Sequence, residues 1–194
     1  MTDAVMQPKD VCIRRDVLGL GLVLSCCSGT VWAQASPPAR SQRPTAGDLL
    51  VSAKAGSDAA LRPEDIALAA PQLLAWAKDP ASGTVRDGSR LNQVLLLRLD
   101  PGTLDAETLA RAADGVLAYS ATCTHAQCPV SEWRQEAGIL HCPCHGSEFD
   151  PRAGGRVVGG PAQRRLPPLP LRLSAEGGLE VAQPFVGKVG GQVA

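Results

Sequence analysis

The chain of 194 residues is short of aromatic side chains, of net charge and of long apolar runs. Phe, Trp and Tyr make up 3% of it, and 19 basic residues balance 19 acidic ones. A net charge of zero creates no field that would attract nucleic acid, so we expect no nucleic-acid partner. The apolar run at residues 17–33 is interrupted by glycine and serine, and it is shorter than the roughly 20 residues of a membrane span. Glycine and proline are abundant, with 20 and 16 residues, which predicts a loop-rich β domain.

Short candidate strands separated by turns follow from residue 48 onward. They lie at residues 49–53, 93–99, 115–121, 138–141, 166–173 and 179–181. Pairing of 115–121 with 138–141 would bring the loops that follow these two strands side by side. Residues 105–113 predict a helical turn. Residues 63–78 have a helical spacing of apolar side chains, but Pro71 interrupts it, and we expect this segment to pack against the sheet.

Two short strings hold four of the seven cysteines and two of the three histidines. The first box is Cys123-Thr124-His125-Ala126-Gln127-Cys128, and the second box is Cys142-Pro143-Cys144-His145-Gly146-Ser147. Each box contributes a mixed Cys–His pair, which suits a metal centre with thiolates on one side and imidazoles on the other. The alternative is a structural zinc site, although zinc sites usually group like ligands in each half. His141 has no matching partner, and we interpret it as a solvent-facing strand residue.

The two boxes resemble the cluster-binding boxes of Rieske iron–sulfur proteins, in the branch found in cytochrome bc-type complexes. The resemblance covers the chain from about Gly115 onward. It implies one [2Fe–2S] cluster per chain, with Cys123 and Cys142 on the inner iron and His125 and His145 on the outer iron. It also implies a disulfide between Cys128 and Cys144 that ties the two loops together.

Three features outside the proposed ligands bear on the resemblance: two match the family and one departs from it. Ser147 matches the family serine whose hydroxyl bonds a bridging sulfide. Phe149 stands where quinol-oxidising members often carry a tyrosine that bonds a cysteine sulfur, and a phenylalanine cannot donate that bond. Rieske potentials range from roughly −150 to +300 mV, so we expect a high potential below the top of that range. Gly160-Pro161-Ala162 is similar to the proline-containing loop that covers the cluster from a third side.

The expected fold is all-β, with a base of two packed antiparallel sheets and a smaller cluster-binding subdomain at about residues 122–165. This Rieske domain spans residues 48–186. Residues 36–47 have no apolar period and predict a flexible linker, and the glycine-rich residues 187–194 predict a tail. Arginines 152, 156, 164 and 165 either orient an acidic partner or form a solvated surface, and the neutral chain favours the second interpretation.

Residues 1–35 have the features of an export signal. Arg14-Arg15 precede the apolar run, and Ala33-Gln34-Ala35 supplies a small-x-small cleavage pattern, so the segment resembles a twin-arginine signal. A retained membrane anchor and a lipoprotein site at Cys26 are the alternatives. Each of the three places the domain in the periplasm or on the periplasmic side of the membrane, where a disulfide persists.

The predicted function is one-electron transfer through an exported Rieske [2Fe–2S] cluster. The chain would be an electron carrier or an iron–sulfur subunit of a periplasmic oxidoreductase, and we do not expect it to be catalytic alone. The alternative is the iron–sulfur subunit of a quinol–cytochrome c reductase. Cytochrome c, cytochrome b or another periplasmic oxidoreductase subunit is the expected partner, with quinol as substrate in the alternative. Phe149, and Ala126-Gln127 in place of the usual Leu-Gly, favour the first hypothesis.

Overall fold

The computed structural model describes residues 39–191, and nearly all the regular structure in this range is β-strand. The strands are β1 Leu49–Ser52, β2 Leu73–Lys78, β3 Val94–Arg98, β4 Val116–Ser120, β5 Glu132–Arg134, β6 Ile139–Cys142, β7 Ser147–Asp150, β8 Arg156–Gly159, β9 Leu171–Leu173 and β10 Leu179–Val181. The helices are α1 Ala106–Leu109 and five 3₁₀ turns at Ala39–Ser41, Pro63–Asp65, Arg90–Asn92, Pro101–Thr103 and Pro151–Ala153. Within residues 39–191, none of these helices has the length and apolarity of a membrane span.

The base of the domain is one antiparallel sheet of six strands in the order β4-β3-β2-β1-β10-β9. Its two edge strands approach each other, because the Leu169 N–H donates to the Ala118 carbonyl at 2.8 Å and Tyr119 forms a bridge with Pro168. The sheet therefore curls around a first apolar core. The predicted all-β antiparallel fold is confirmed, with one continuous curled sheet in the base where two separate sheets were expected.

Strand β3 explains how one sheet supports two cores. Val94 and Leu96 belong to the first core, while Leu95 and Leu97 belong to a second core on the opposite face. Successive side chains of a strand point to opposite faces, so a strand that is buried on both faces has a continuous apolar sequence. The run predicted at residues 93–99 is such a strand.

A second sheet of four strands, in the order β5-β6-β7-β8, forms the smaller subdomain. It packs around the second core together with the outer face of β3 and β4. The predicted pairing of residues 115–121 with 138–141 is wrong, because β4 pairs with β3 whereas β6 lies between β5 and β7. Short turns join β6 to β5 and to β7, so β6 pairs with strands that are close in sequence. The alternation of apolar residues could not predict this, because it does not show which strand is the partner.

Residues 63–78 form a 3₁₀ turn and then strand β2, which lies between β1 and β3. Ala75 and Ala77 are fully buried while Leu74 is exposed, so the burial alternates with the period of a strand. The segment packs in the sheet as expected, but as a strand and not as a helix.

Both predicted mobile ends are fixed to the domain where they are described. Arg40 donates two hydrogen bonds to Asp87, at 2.7 and 2.8 Å, and Asn92 Nδ2 donates to the Gln42 carbonyl at 2.7 Å. At the other end, Gly190 and Gly191 are buried. The predicted linker and tail therefore contact the domain at residues 40–43 and 190–191. The predicted export signal at 1–35 lies outside the described residues.

A buried ion pair holds the start of the domain in place. Arg86 donates from Nε and Nη2 to the two carboxylate oxygens of Asp48, at 2.6 and 2.9 Å, and Nη1 donates to Gln42 Oε1 at 3.0 Å. Both partners are almost inaccessible, at 6% and 2% exposure. Removing one partner of such a pair leaves the other charge buried and alone.

We therefore expect Arg86→Ala to lower the free energy of unfolding by about 3 kcal/mol, which corresponds to a fall in midpoint temperature of roughly 6 to 12 °C. Arg172→Ala is the control, because Arg172 forms an exposed ion pair with Glu180, and such pairs contribute less than about 1 kcal/mol. Circular dichroism during heating measures both variants. Equal losses in the two would contradict a special role for the buried pair.

Candidate metal centre

The first box is a tight turn that begins after the end of β4. The Cys123 N–H donates to the Cys128 carbonyl at 2.8 Å, and the Gln127 N–H donates to the Cys123 carbonyl at 3.2 Å. These bonds fold the turn around the Cys123 side chain, which is 1% exposed. The His125 N–H lies 3.5 Å from the Cys123 sulfur as a donor, and a donor in this position stabilises a thiolate.

The second box is the turn between β6 and β7. The Gly146 N–H donates to the Cys142 carbonyl at 3.0 Å, and Gly146 has a left-handed backbone with φ of 75°. Cys142 is 1% exposed. Burial, with a smaller contribution from the neighbouring Cys123 thiol, raises the pKa of the Cys142 thiol to about 11. The thiol is thus protonated in the metal-free protein at neutral pH, and a metal must displace its proton on binding.

The disulfide between Cys128 and Cys144 joins the two boxes, with 6.4 Å between the Cα atoms, and confirms the pairing expected from the resemblance. The Cys142 sulfur lies within 4.8 Å of both sulfurs of this bridge. The imidazole rings of His125 and His145 stand edge to face with centroids 4.8 Å apart. The bridge and the ring contact thus bring together the two boxes that hold the four predicted ligand residues.

The two histidines differ in exposure. His145 is exposed, whereas His125 is half-buried. His125 Nδ1 is buried and has no hydrogen-bond partner among residues 39–191, although an imidazole nitrogen in such a place ordinarily has one. This atom is therefore free to bind a metal from inside the protein.

Ser147 supplies the second orphaned polar atom. Its side chain is fully buried, and its Oγ has no hydrogen-bond partner within the described part of the chain. A hydroxyl donor without an acceptor is costly, unless a group bound between the two boxes supplies the acceptor. A sulfide of an iron–sulfur cluster is such an acceptor.

The donor set fits two metals better than one. The ligand atoms of a tetrahedral zinc site lie about 2.0–2.3 Å from a single ion and hence close to each other. Among residues 39–191, the only group of three or more such atoms within 4.8 Å of one another is Cys128, Cys142 and Cys144, and two of these form the disulfide. Two thiols and two imidazoles are the ligand types of a Rieske cluster with two irons.

The prediction that His141 faces solvent is wrong, because this side chain is 7% exposed and both of its ring nitrogens have polar partners. Its Nδ1 lies 2.8 Å from Glu132 Oε2, and its Nε2 lies 3.0 Å from Arg134 Nη2. Glu132 and His141 are directly opposite in the ladder of β5 and β6. The alternation of Glu132 and Arg134 along a strand was the available signal, since residues two apart share a face with a cross-strand neighbour.

A third loop closes the site, as the resemblance implies. Gly160 has φ of 73°, and a Cβ at this position would lie 2.2 Å from the Gly146 carbonyl oxygen, so only glycine allows the loop to approach the second box. Thr124 Oγ1 donates to the Arg164 carbonyl at 2.6 Å and ties the same loop to the first box. Ala162 is buried in the second core.

Two features of the first box were not predicted from the sequence: a backbone conformation at Gln127 and a contact with Gly191. Gln127 has a left-handed backbone with φ of 60°, a conformation that favours glycine. Gly191 lies so close to the box that a Cβ on it would be 2.0 Å from the His125 carbonyl oxygen. The only feature of the sequence that could indicate this contact is the pair of adjacent glycines 190 and 191, which predicts a tail.

Comparison with known proteins gives a consistent result. Residues 80–170 match the family model described as Rieske [2Fe-2S] domain. The "Cytochrome bc1 complex Rieske iron-sulfur subunit" of Streptomyces lividans is 35% identical over 150 residues, which cover 74% of this chain and 85% of that one. The "Putative respiratory nitrate reductase subunit Rieske" of Haloferax mediterranei is 44% identical over 106 residues, 54% of this chain and 47% of that one.

Among solved structures, the soluble domain of the Rieske protein II (soxF) from Sulfolobus acidocaldarius matches with a TM-score of 0.38 and 22% identity. That match covers 50% of this chain and 66% of the other.

The disulfide yields a prediction for stability. The bridge spans a sequence separation of 16, and closing a loop of about 15 residues contributes roughly 3 kcal/mol in the chain-entropy model. We expect Cys128→Ser to lower the free energy of unfolding by up to about that amount. Ala126→Ser, in the same loop with the bridge intact, is the control. Titration of thiols in the denatured, metal-free and unreduced domain from residue 36 onward should find two, and a count of four would contradict the bridge.

Proposed function

The chain belongs to the Rieske [2Fe–2S] protein family, and on that premise we propose that Cys123 and Cys142 bind one iron of its cluster while His125 and His145 bind the other. One-electron transfer through a Rieske cluster is the function of the chain. The observation that carries the residue assignment is that each of two disulfide-tied loops holds one free, buried thiol and one of two imidazoles that contact each other. The [2Fe–2S] cluster supplies a one-electron couple when it is bound.

The side chains around the boxes divide the site into a dry side and a wet side. Cys123 and Cys142 lie in the second core together with Phe149 and Leu140, so apolar contacts keep water from the sulfur side. His145 is exposed and His125 half-buried, so the imidazole edges are the shortest route between the surface and the metals. Electrons enter and leave through these edges in our proposal.

The compartment follows from the disulfide and the amino-terminal sequence. Protein disulfides persist in oxidising compartments, and the bridge between Cys128 and Cys144 supports export. Arg14-Arg15 and the apolar run after them support a twin-arginine signal. We place the domain in the periplasm, or on the periplasmic side of the cytoplasmic membrane if residues 1–35 are retained.

The relatives are named as subunits of redox complexes, so we propose that the chain passes electrons to or from another redox protein. Our first candidate is an electron carrier or iron–sulfur subunit of a periplasmic oxidoreductase, supported by Phe149 at the position of the family tyrosine. The second candidate is the iron–sulfur subunit of a quinol–cytochrome c reductase. It is supported by the match over 85% of the Streptomyces lividans subunit. Purification from membranes with or without a cytochrome b decides between the two.

The ligand assignment predicts the metal content of the protein. We expect two irons and two acid-labile sulfides per chain. We also expect His145→Ala to lose the electron spin signal of the reduced cluster, because an iron that lacks one ligand will not keep the cluster bound. His141→Gln is the matched control, since His141 bonds Glu132 and Arg134, and it should keep its iron. A wild-type protein with one zinc and no iron would overturn the assignment.

The environment of the sulfurs predicts the direction of changes in potential. Phe149 is fully buried in the core that contains both cysteines, so Phe149→Tyr should place a hydroxyl near a cluster sulfur and raise the midpoint potential. Because 59 mV corresponds to about 1.4 kcal/mol in a one-electron couple, one such bond should shift it by some tens of millivolts. Ser147→Ala should lower it by a similar amount.

Phe185→Tyr is the control for this prediction, because the other phenylalanine of the chain packs against the first core. Protein-film voltammetry measures all three variants. A potential that does not move, or that falls, in Phe149→Tyr would show that position 149 does not face a cluster sulfur.

A further inference from the structure

The carboxyl-terminal residues 184–191, which we name the strap, are held by Arg164. This side chain donates from Nη1 to the Lys188 carbonyl at 2.9 Å and from Nη2 to the Gly190 carbonyl at 2.7 Å. The Arg164 carbonyl in turn accepts from Thr124, between Cys123 and His125. One residue thus connects the strap to the first box.

The strap also touches the first box directly. Gly191 packs on the His125 carbonyl, and Gln127 Nε2 donates to the Gly191 carbonyl at 3.5 Å. A surface formed by the strap therefore lies against the backbone of His125, one of the two histidines that we propose as electron ports.

A groove of about 740 Å³ is lined by the strap on one side and by Arg43, Leu91 and Gln127 on the other. Leu91, Phe185 and Val189 give it an apolar floor, and Arg43 and Lys188 are its charged lining residues. Arg43 Nη1 donates to the Leu91 carbonyl at 2.5 Å, so it is fixed at the wall. Among the described residues, no carboxylate lines the groove.

The positive charges at this groove are unusual for the described part of the chain. Most lysines and arginines of residues 39–191 form an ion pair with a carboxylate. The exceptions are Arg43, Lys54, Arg90, Arg156, Arg164 and Lys188. Arg43 and Lys188 line the groove, Arg90 precedes the lining residue Leu91, and Arg164 is bonded to the strap. Hydrogen bonds from Arg43 and Arg164 to backbone carbonyls satisfy donors but leave the positive charges without a counter-charge.

We propose that this groove is the docking site for an acidic polypeptide segment of the electron-transfer partner. Its uncompensated cations attract carboxylates, its apolar floor accepts the stems of the partner's side chains, and the strap places that partner beside His125. The inference rests on the proposed function, because it assigns the groove to the partner that exchanges electrons at the histidines.

The test measures binding of a peptide of eight glutamates to the cluster-containing protein by titration calorimetry. We expect salt-dependent binding by the wild type, and at least tenfold weaker binding by the Arg43→Glu/Lys188→Glu double variant. Lys54→Glu is the control for one charge reversal, because Lys54 is an exposed, unpaired cation after β1, three strands from β4 in the sheet. It should bind the peptide within about twofold of the wild type.

Several results would overturn the proposal. These are no binding by the wild type, an equal loss in Lys54→Glu, or tighter binding of a peptide of eight lysines. The electron spin signal of the reduced cluster is recorded for every sample and should be the same in all of them. A protein with a normal signal and no preference for the acidic peptide refutes docking while the electron-transfer function stands. A wild type without the signal refutes the proposed function, and the role of the groove with it.

Discussion

The two loops that we propose to hold one metal centre begin at strands of different sheets, and the covalent bond between Cys128 and Cys144 limits their separation. Strand pairing cannot do this, because no ladder joins β4 to β6. The second core supplies the remaining constraint, since it packs the outer face of the large sheet against the small one and includes both free cysteines. The disulfide and the second core together hold the two loops that carry the buried thiols, although no strand ladder connects these loops.

The sequence was most informative where chemistry is encoded locally. The two boxes, the buried strand at residues 93–99 and the helical turn before β4 each have a pattern within a few residues, and the structure has them where they were expected. The pairing of strands was not predictable in the same way, because β6 bonds to its hairpin neighbours and the alternation at β2 is carried by small alanines. His141 was misjudged because burial by Glu132 and Arg134 depends on a cross-strand register that is fixed only in the folded chain.

The ends of the domain were misjudged for a related reason. Composition rich in proline or glycine predicts mobility, but Arg40, Gln42 and Arg43 bind the loop before β3, and glycine at 190 and 191 allows a backbone to lie directly on another. A residue without a side chain is as suited to close packing as to flexibility. Only the atoms that it approaches distinguish the two, and here they belong to the first box.

That contact has a consequence for the order of events during synthesis. A ribosome delivers the chain from its amino terminus at about 5–20 residues per second, and amino-terminal parts fold first. Both boxes emerge well before residue 191, so for several seconds the loop with His125 lacks the backbone that later packs on its carbonyl. The first box therefore reaches its final form only after nearly the whole domain has left the ribosome.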